Sequence, residues 1–498
     1  MNLAEAQIVP EGTKFADVEP LPQELPEDDT IEPRGIFYPT PSNDGSMARV
    51  RIPGGHLHPA QLRGIASITD DLTTGYIQVT TRANFQIRVI QPGDNDEVLS
   101  RIRDIGLHPT GPGSDNPRNL TTNPTSGFDP HELLDTEPLC TELALRLTSD
   151  PAYRDIPGKY NIAIDSGGQA SVMEDSNDLA AHAVDCNGQG VRFRVTLGGA
   201  SEDKDLGILV APDDLVDTLL AVIRVHNRLR EQTNRLRFRA KYLWDKYTKS
   251  EILDELAKEL PEGVPLRGTS QPRPQAPAHT EQGHPQAGIF PQKQPGLHYI
   301  GVAIPVGQLD ANQLRTLATL ADEFGNGTVR LTVWQNLLLP FIRTEDLETV
   351  KARLVQAGLH WKQSNLKSGI IACTGNRHCP YAQSDSKGHA VELGDFLDQH
   401  LKLDQPINIH FTACPFSCAQ HYVGDIGLLA AKTGIGKEAA YHVFQGGGFG
   451  RKRSTGRKVS ESPIPFQQIK TFILNLLRDW LEKRQPGESF QTYSQRTF

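Results

Sequence analysis

The pattern of apolar and polar positions is written twice along this chain. At a constant offset of 252 residues, without a gap, residues 52–88 lie over 304–340, so that Ile52, Pro53, Gly55 and Leu57 meet Ile304, Pro305, Gly307 and Leu309. Gln61, Leu62, Arg63 and Ala66 then meet Gln313, Leu314, Arg315 and Ala318, and Asp70, Gly75, Thr80 and Asn84 meet Asp322, Gly327, Thr332 and Asn336. Each copy predicts a strand, an amphipathic helix and a second strand, the last alternating as Ile77, Val79, Thr81 in one copy and Val329, Leu331, Val333 in the other. That is a βαβ half-unit used twice.

A fainter repeat follows each copy. Thr121-Thr122-Asn123 resembles Thr374-Gly375-Asn376, and Tyr160-Asn161-Ile162-Ala163-Ile164 resembles Ile407-Asn408-Ile409-His410-Phe411. The order is therefore A-B-A′-B′, joined over residues 261–295, where Pro, Gln, Gly and His dominate and periodicity fails, as in a linker. Residues 213–260 predict one or two long helices, and Ile469, Phe472, Ile473, Leu476, Leu477 and Trp480 mark another near the C-terminus. The expected units are an N-terminal extension (1–34), a first half-unit (35–105), a first α/β domain (106–260), the linker, a second half-unit (296–365) and a second α/β domain with a C-terminal helix (366–498). Such a chain predicts an α+β, pseudo-two-fold body with one active centre at the seam.

Size and charge narrow the class. At 498 residues, 37% of them hydrophobic, the chain has room for several domains. No apolar run approaches the roughly 20 residues that span a bilayer, and the net charge of −9 argues against general nucleic-acid binding. The opening MNLAEAQIVPEGTKFADVEP has no signal or transit architecture, so a cytoplasmic protein is expected; a monomer is expected as well. One segment opposes the acidity: Arg451-Lys452-Arg453 and Arg457-Lys458 follow the glycine-rich stretch 446–450, as either a solvated loop or an anion site.

Four of six cysteines form two tight pairs, Cys373 with Cys379 and Cys414 with Cys418, all in the second α/β domain. In a reducing compartment such clustering points to metal rather than disulfides, and Cys140 and Cys186 are expected to be ordinary thiols. Zinc ligand pairs usually enclose two to four residues. The second gap, Pro415 to Ser417, fits that spacing and the first, Thr374 to His378, does not. Four thiolates suit an iron–sulfur cubane. Gly369-Ile370-Ile371-Ala372 predicts a short strand delivering Cys373, and Pro415 predicts the first position of a helix with Cys414 near its cap and Cys418 one turn on.

With these motifs together, the chain resembles the siroheme-dependent nitrite and sulfite reductases over roughly residues 35 to 480. The most specific part is ACTGNRHC followed by TACPFSCAQ. The resemblance implies two ferredoxin-like half-domains interleaved with two siroheme/cluster-binding α/β domains, a [4Fe-4S] cluster on Cys373, Cys379, Cys414 and Cys418, and Cys418 bridging it to siroheme. TTRANFQIR, with Arg82, and DNPRNLTTNPTSGFDP, with Arg118, resemble the family's anion-facing arginine motifs, and IPGKYN resembles a third, with Lys159 and Asn161. Taken alone, Arg82 and Arg118 would read as surface ion pairs. Siroheme carboxylates would need further donors, for which Asn84, Gln86, Arg88, Asn376, Gly448, Arg451 and Arg453 are candidates.

Lys159-Tyr160-Asn161 implies nitrite over sulfite by that resemblance, because sulfite reductases tend to carry Lys-x-Lys; Gly158, where the family commonly has an arginine, departs from the pattern. No strand followed by G-x-G-x-x-G marks a nicotinamide or flavin site, and Thr433-Gly434-Ile435-Gly436-Lys437 lacks the remaining signature of a phosphate loop. Reduced ferredoxin is the expected donor, docking on a basic patch such as residues 451–458. Sulfite reduction, a precorrin-3B synthase-like monooxygenase and a non-catalytic cluster protein remain as alternatives.

Overall fold

The structure, a computed structural model, describes residues 37–42, 45–73, 75–107, 119–153, 156, 160–172, 176–186, 190–199, 204–232, 239–260, 263–264, 285–362, 364–431, 438–448 and 454–497. The first half-unit comprises β1 (Phe37–Ser42), β2 (Gly45–Val50), β3 (His56–Leu57), α1 (Pro59–Leu72), β4 (Tyr76–Val79), β5 (Phe85–Ile90) and α2 (Asn95–Asp104). The first α/β domain adds β6 (Leu120–Thr122), α3 (Glu137–Ser149), β7 (Ile162–Asp165), β8 (Leu179–Asp185), β9 (Val191–Leu197), β10 (Asp205–Val210), α4 (Leu215–Glu231) and α5 (Lys249–Leu256). The second half-unit runs β11 (Gly288–Pro291), β12 (Leu297–Val302), β13 (Gln308–Asp310), α6 (Ala311–Phe324), β14 (Val329–Leu331), β15 (Leu337–Arg343) and α7 (Leu347–Gln356). The second α/β domain closes with β16 (Ile370–Ala372), α8 (Ser386–His400), β17 (Ile409–Thr412), β18 (Ile426–Ala431), β19 (Ala440–Gln445), β20 (Arg457–Lys458), β21 (Ile464–Pro465), α9 (Phe466–Lys483) and α10 (Phe490–Thr497).

The predicted βαβ unit is present in split form: β5 lies between β2 and β4 and pairs antiparallel with both, so β2 and β4 run parallel on either side of it. The two half-units exchange strands. β13 pairs with β4 to complete the first sheet, and β3 pairs with β14 to complete the second. Across the dyad α1 packs on α6, and the matched residues ion-pair reciprocally, Arg63 with Asp322 at 2.6 Å and Arg315 with Asp70 at 2.5 Å. Such reciprocity is what an isologous interface requires, here within one chain. Backbone strain repeats too: Ala83 and Gln335 (φ 51° and 60°), and Val89 and Phe341 (61° and 62°), are left-handed non-glycine residues at the same offset. One hydrophobic core, including Leu62, Ile65, Leu314 and Leu317, serves both half-units.

The α/β domains repeat a mixed sheet in which the first three strands are parallel and the rest antiparallel, in the order β6-β7-β8-β9-β10 and β16-β17-β18-β19-β20. Register confirms Ile162 opposite Ile409 in this repeat, since each pairs with the first residue of its neighbour, Leu120 or Ile370. It corrects the companion match. Leu120 corresponds to Ile370, so Asn123, not Thr121, stands at the edge of the loop, in the position of Cys373. Sequence matching slipped by three residues because Thr and Asn recur in the turn after the strand.

Three further expectations change. Thr81 and Val333 fall in turns after β4 and β14 rather than in the strands. Residues 213–260 hold one long helix, α4, and a short one, α5, which a Thr248–Glu251 capping box starts. The linker stretch contains β11, an edge strand antiparallel to β12. The C-terminal helix is α9, whose Ile469, Ile473, Leu477 and Trp480 are fully buried against the second α/β sheet.

Candidate metal centre and anion site

The seam is built where the two copies meet end to end. Ala163, Val172 and Ala180 of the first α/β domain pack with Val333 and Trp334 and with Ile371, Ala419 and Val423 of the second. Over this small core lie the turn after β4 and the two cysteine loops.

β16 delivers Cys373, as its apolar run predicts, and the cysteine's own N–H is fixed by Phe411 C=O at 3.0 Å. Its sulfur accepts from Ala413 N–H at 3.2 Å and lies 3.3 Å from Ser386 Oγ. The expected helix at Cys414 does not form. Successive turns run there instead, with Ser417, Gln420 and Val423 N–H bonded to the carbonyls of Cys414, Ser417 and Gln420. Ser417 (φ 53°) and Gln420 (φ 56°) are left-handed, which breaks any helix and leaves the Cys418 carbonyl open to other partners. His410 stabilises this loop from below, its Nδ1 at 2.8 Å from Ala419 O and 3.1 Å from Gln420 O.

Burial raises the Cys373 thiol and pushes Cys414 up to about 12. Cys418 adds to both shifts, and Cys373 and Cys379 add to that of Cys414, so the four sulfurs share one locality. Among the described residues no three His, Cys, Asp or Glu side chains converge on a single-ion position. Four thiols in one locality are the donor set that an iron–sulfur cubane would take, one to each iron. The same region holds buried polar groups without partners: both amide atoms of Gln420 and Gln445, Asn408 Oδ1 and Thr412 Oγ1. A Cβ at Gly447 would lie 2.4 Å from Gly424 O, so backbone packs closely here. Of these polar groups, the Gln420 and Gln445 amide N–H groups and the Thr412 hydroxyl are donors of the kind that a macrocycle bearing many carboxylates would take.

The first copy supplies the facing wall. Thr81 Oγ1 donates to Cys418 C=O at 3.0 Å, putting the TTR turn on the cysteine loop. Arg82 is fixed by Ser176 Oγ (3.1 Å), Asn177 Oδ1 (3.0 Å) and Ser176 C=O (2.7 Å). Burial, then the neighbouring Arg239, pulls its guanidinium down to about 10, while Tyr422, Asp178 and Cys418 act the other way. It therefore stays charged at neutral pH. The Asn161 amide lies between Asn119 on one side and the guanidinium groups of Arg82 (3.1 Å) and Arg239 (3.3 Å) on the other. Asp178 anchors this group: it accepts from Arg239 at 2.6 and 2.9 Å and from Asn161 N–H at 3.0 Å.

The remaining candidates divide. Asn84 is buried and committed, accepting from Ile52 N–H (2.7 Å) and donating to Asn119 (3.0 Å); Asn336 accepts from Ile304 N–H (2.9 Å) in the same way in the other copy. Gln86 is a half-buried residue of β5 opposite Gln78. Arg88 reaches the first cysteine loop, donating to His378 C=O (3.0 Å) and Thr374 Oγ1 (3.5 Å), and Tyr76 bonds the His378 ring. Asn376 is exposed, its N–H bonded to Ser384 C=O (2.9 Å), and Gly448 is bridged to Ser454 under Gln491. Arg118, Gly158, Lys159, Arg451 and Arg453 lie outside the described residues. Sequence reasoning missed Ser176, Asn177, Asp178, Arg239 and His410. Only Asp178 left a signal, recurring as Asp425 in the register that aligns Ile162 with Ile409.

Comparison with known proteins now bears on this geometry. Residues 38–105 and 290–357 match the nitrite/sulfite reductase ferredoxin-like half domain, and residues 113–263 and 364–495 match the nitrite and sulphite reductase 4Fe-4S domain. The chain belongs to the nitrite/sulfite reductase family. It is accordingly an oxidoreductase with duplicated ferredoxin-like half-domains. A chloroplastic ferredoxin–nitrite reductase of Zea mays is 32% identical over 89% of this chain and 80% of its own length. One from Synechococcus elongatus is 32% identical over 85% and 84%. A ferredoxin sulfite reductase of Mycolicibacterium paratuberculosis is 26% identical over 90% and 82%. The solved NirA protein of Mycobacterium tuberculosis superposes with a TM-score of 0.78 at 26% identity, covering 91% of this chain and 84% of that one. Among the described residues of this family member, no helix is long and apolar enough to cross a membrane.

Proposed function

We propose that this protein reduces nitrite to ammonia in six one-electron steps, as a cytoplasmic monomer that takes its electrons from reduced ferredoxin. The ferredoxin–nitrite reductases among its relatives support this reading. The observation that carries it is the Thr81–Cys418 hydrogen bond, which brings the arginine turn of one copy onto the cysteine loop of the other.

Cys373, Cys379, Cys414 and Cys418 would hold a [4Fe-4S] cluster, with Cys418 also toward siroheme. When bound, siroheme and cluster supply an iron for the anion and a route by which electrons arrive singly. The protein's own part is electrostatic. Arg82, with two side-chain partners and a carbonyl fixing its fork, presents a preplaced cation that needs no reorganisation as charge develops. Asn161, held through Asp178, limits how Arg82 can turn. Arg118 and Lys159 would complete the cationic wall, and the Lys-x-Asn pattern supports nitrite as substrate. Arg88 and Asn376 would hold the cluster loop, while Gln86, Gly448, Arg451 and Arg453 would take siroheme carboxylates, beside the wall that Asn84 braces.

The test is an absorption spectrum of anaerobically purified protein, with iron and acid-labile sulfide analysis, before and after nitrite and then sulfite are added to the reduced form. Siroheme bands that shift and reoxidise with nitrite are expected. Faster turnover with sulfite would reassign the substrate, and a cluster spectrum without siroheme would overturn both reductase readings in favour of the monooxygenase or the non-catalytic cluster protein.

A further inference from the structure

Lys387, on the first turn of α8, is a buried ammonium without an acidic partner among the described residues. Its Nζ donates to Val306 C=O and, at 3.5 Å, to Ala372 C=O, the carbonyl immediately before Cys373. The nearest carboxylate in sequence, Asp385, is already bonded to Arg377 at 2.6 Å and to Gly388 N–H at 3.1 Å. Two carbonyl dipoles do not neutralise a full charge, and an uncompensated buried cation is costly.

The other copy shows the usual solution. At the offset that joins Leu120 to Ile370, the residue corresponding to Lys387 is Glu137, an acid that leads α3 as Lys387 stands near the head of α8. Glu137 is fully compensated, by His56 at 2.9 Å and Arg330 at 2.8 Å. The charge is thus inverted in the copy that carries the four cysteines, and there, among the described residues, no carboxylate pairs with it. Around it the other groups also favour negative charge on Cys373: Ala413 N–H, Ser386 Oγ and the N-terminal end of the 15-residue α8.

We infer that Lys387 is the internal counter-cation of the cluster bound by Cys373, and that its charge raises the cluster's reduction potential. It is a positioning residue: it touches no substrate, and it acts by stabilising the extra electron on the reduced cluster through the low-dielectric contact behind Cys373. The inference rests on the cluster reading given above.

The test compares wild type, Lys387→Met and Lys387→Arg as anaerobically purified holoenzymes, by iron and sulfide content and by redox titration of the cluster followed by electron paramagnetic resonance. Lys387→Met, which keeps length and removes charge, is expected to shift the ratio of reduced to oxidised cluster about tenfold toward oxidised at a fixed potential, about 59 mV for one electron. Lys387→Arg is expected to retain the wild-type value. A fully loaded Met variant with an unmoved potential overturns the inference. If the Met variant loses its cluster, iron content decides: retention by Arg and loss by Met supports the counter-cation, and equal loss in both shows a steric role and overturns it. Wild-type protein without a cluster would instead sink the functional reading itself.

Discussion

Asp178 and Asp425 occupy one position in the two copies and face different surroundings. Each accepts a backbone N–H from the matched asparagine, Asn161 at 3.0 Å and Asn408 at 2.8 Å. Asp178 also holds Arg239, whereas burial pushes the Asp425 carboxyl up to about 7, with Asn408 N–H pulling back only in part. In the folded protein Asp425 therefore keeps its proton between about pH 4 and 7 while the unfolded chain releases it. The native state then binds more protons, so this group makes stability fall as pH rises through that window, by up to about 1.4 kcal/mol per pH unit. Asp425→Asn is expected to remove that slope and to melt higher than wild type at pH 7 but not at pH 4. Parallel slopes for the two proteins would show that Asp425 is ionised throughout. At this scale the sequence displayed the thiols and Arg82 because motifs of unusual residue types carry them. It marked Asp178 only through its recurrence as Asp425, and it did not display Ser176 or Asn177, which hold Arg82 across 94 and 95 residues of chain. Nothing local marks such a partner.

Among the elements, strands and helices followed from periodicity and the loops did not. Ile77 and Val79 alternate as a strand should, but the alternation ran on into Thr81, which lies in the turn because Ala83 adopts φ 51° and reverses the chain. That termination releases the Thr81 hydroxyl for Cys418. Likewise, Pro415 is compatible with a helix start, yet the left-handed Ser417 two residues on cannot be foreseen from a propensity that disfavours it. The Thr81–Cys418 bond contributes about 1 kcal/mol net. Thr81→Val is accordingly expected to leave iron and sulfide unchanged and to lower steady-state nitrite turnover by up to about tenfold, the factor that 1.4 kcal/mol represents. Thr81→Ser should recover most of the rate. Wild-type turnover in the valine variant would mean that the seam is set by the apolar contacts of Trp334, Ile371 and Ala419 alone.

For the molecule as a whole, the question is why a duplicated body carries its two cysteine pairs in one copy only. The registers that place Asn123 at Cys373 also place Asp129 at Cys379, Gly167 at Cys414 and Ser171 at Cys418. Three of these are knit into a buried polar network. Asn123 donates to Ala170 C=O (3.1 Å) and accepts from Ser166 N–H (2.6 Å), Asp129 accepts from Thr125 (2.9 Å) and Gln169 N–H (2.8 Å), and Ser171 donates to Asp165 (2.6 Å). Hydrogen bonds there fill the role that metal–thiolate bonds would fill in the other copy, so the empty half has its own reason to remain ordered. The overall duplication was visible in sequence because α1 and α6 must match across the dyad, residue for residue. This substitution was not, because ligands and network residues share no chemistry. Asn123→Cys is therefore expected to leave iron content per chain at the wild-type value, since its three companions are not thiols. It should also destabilise the protein by about 1–3 kcal/mol, the cost of stranding the Ser166 N–H and the Ala170 carbonyl. Denaturant titration of the holoenzyme measures that loss, and a variant as stable as wild type would show that the network is incidental to the first copy's fold.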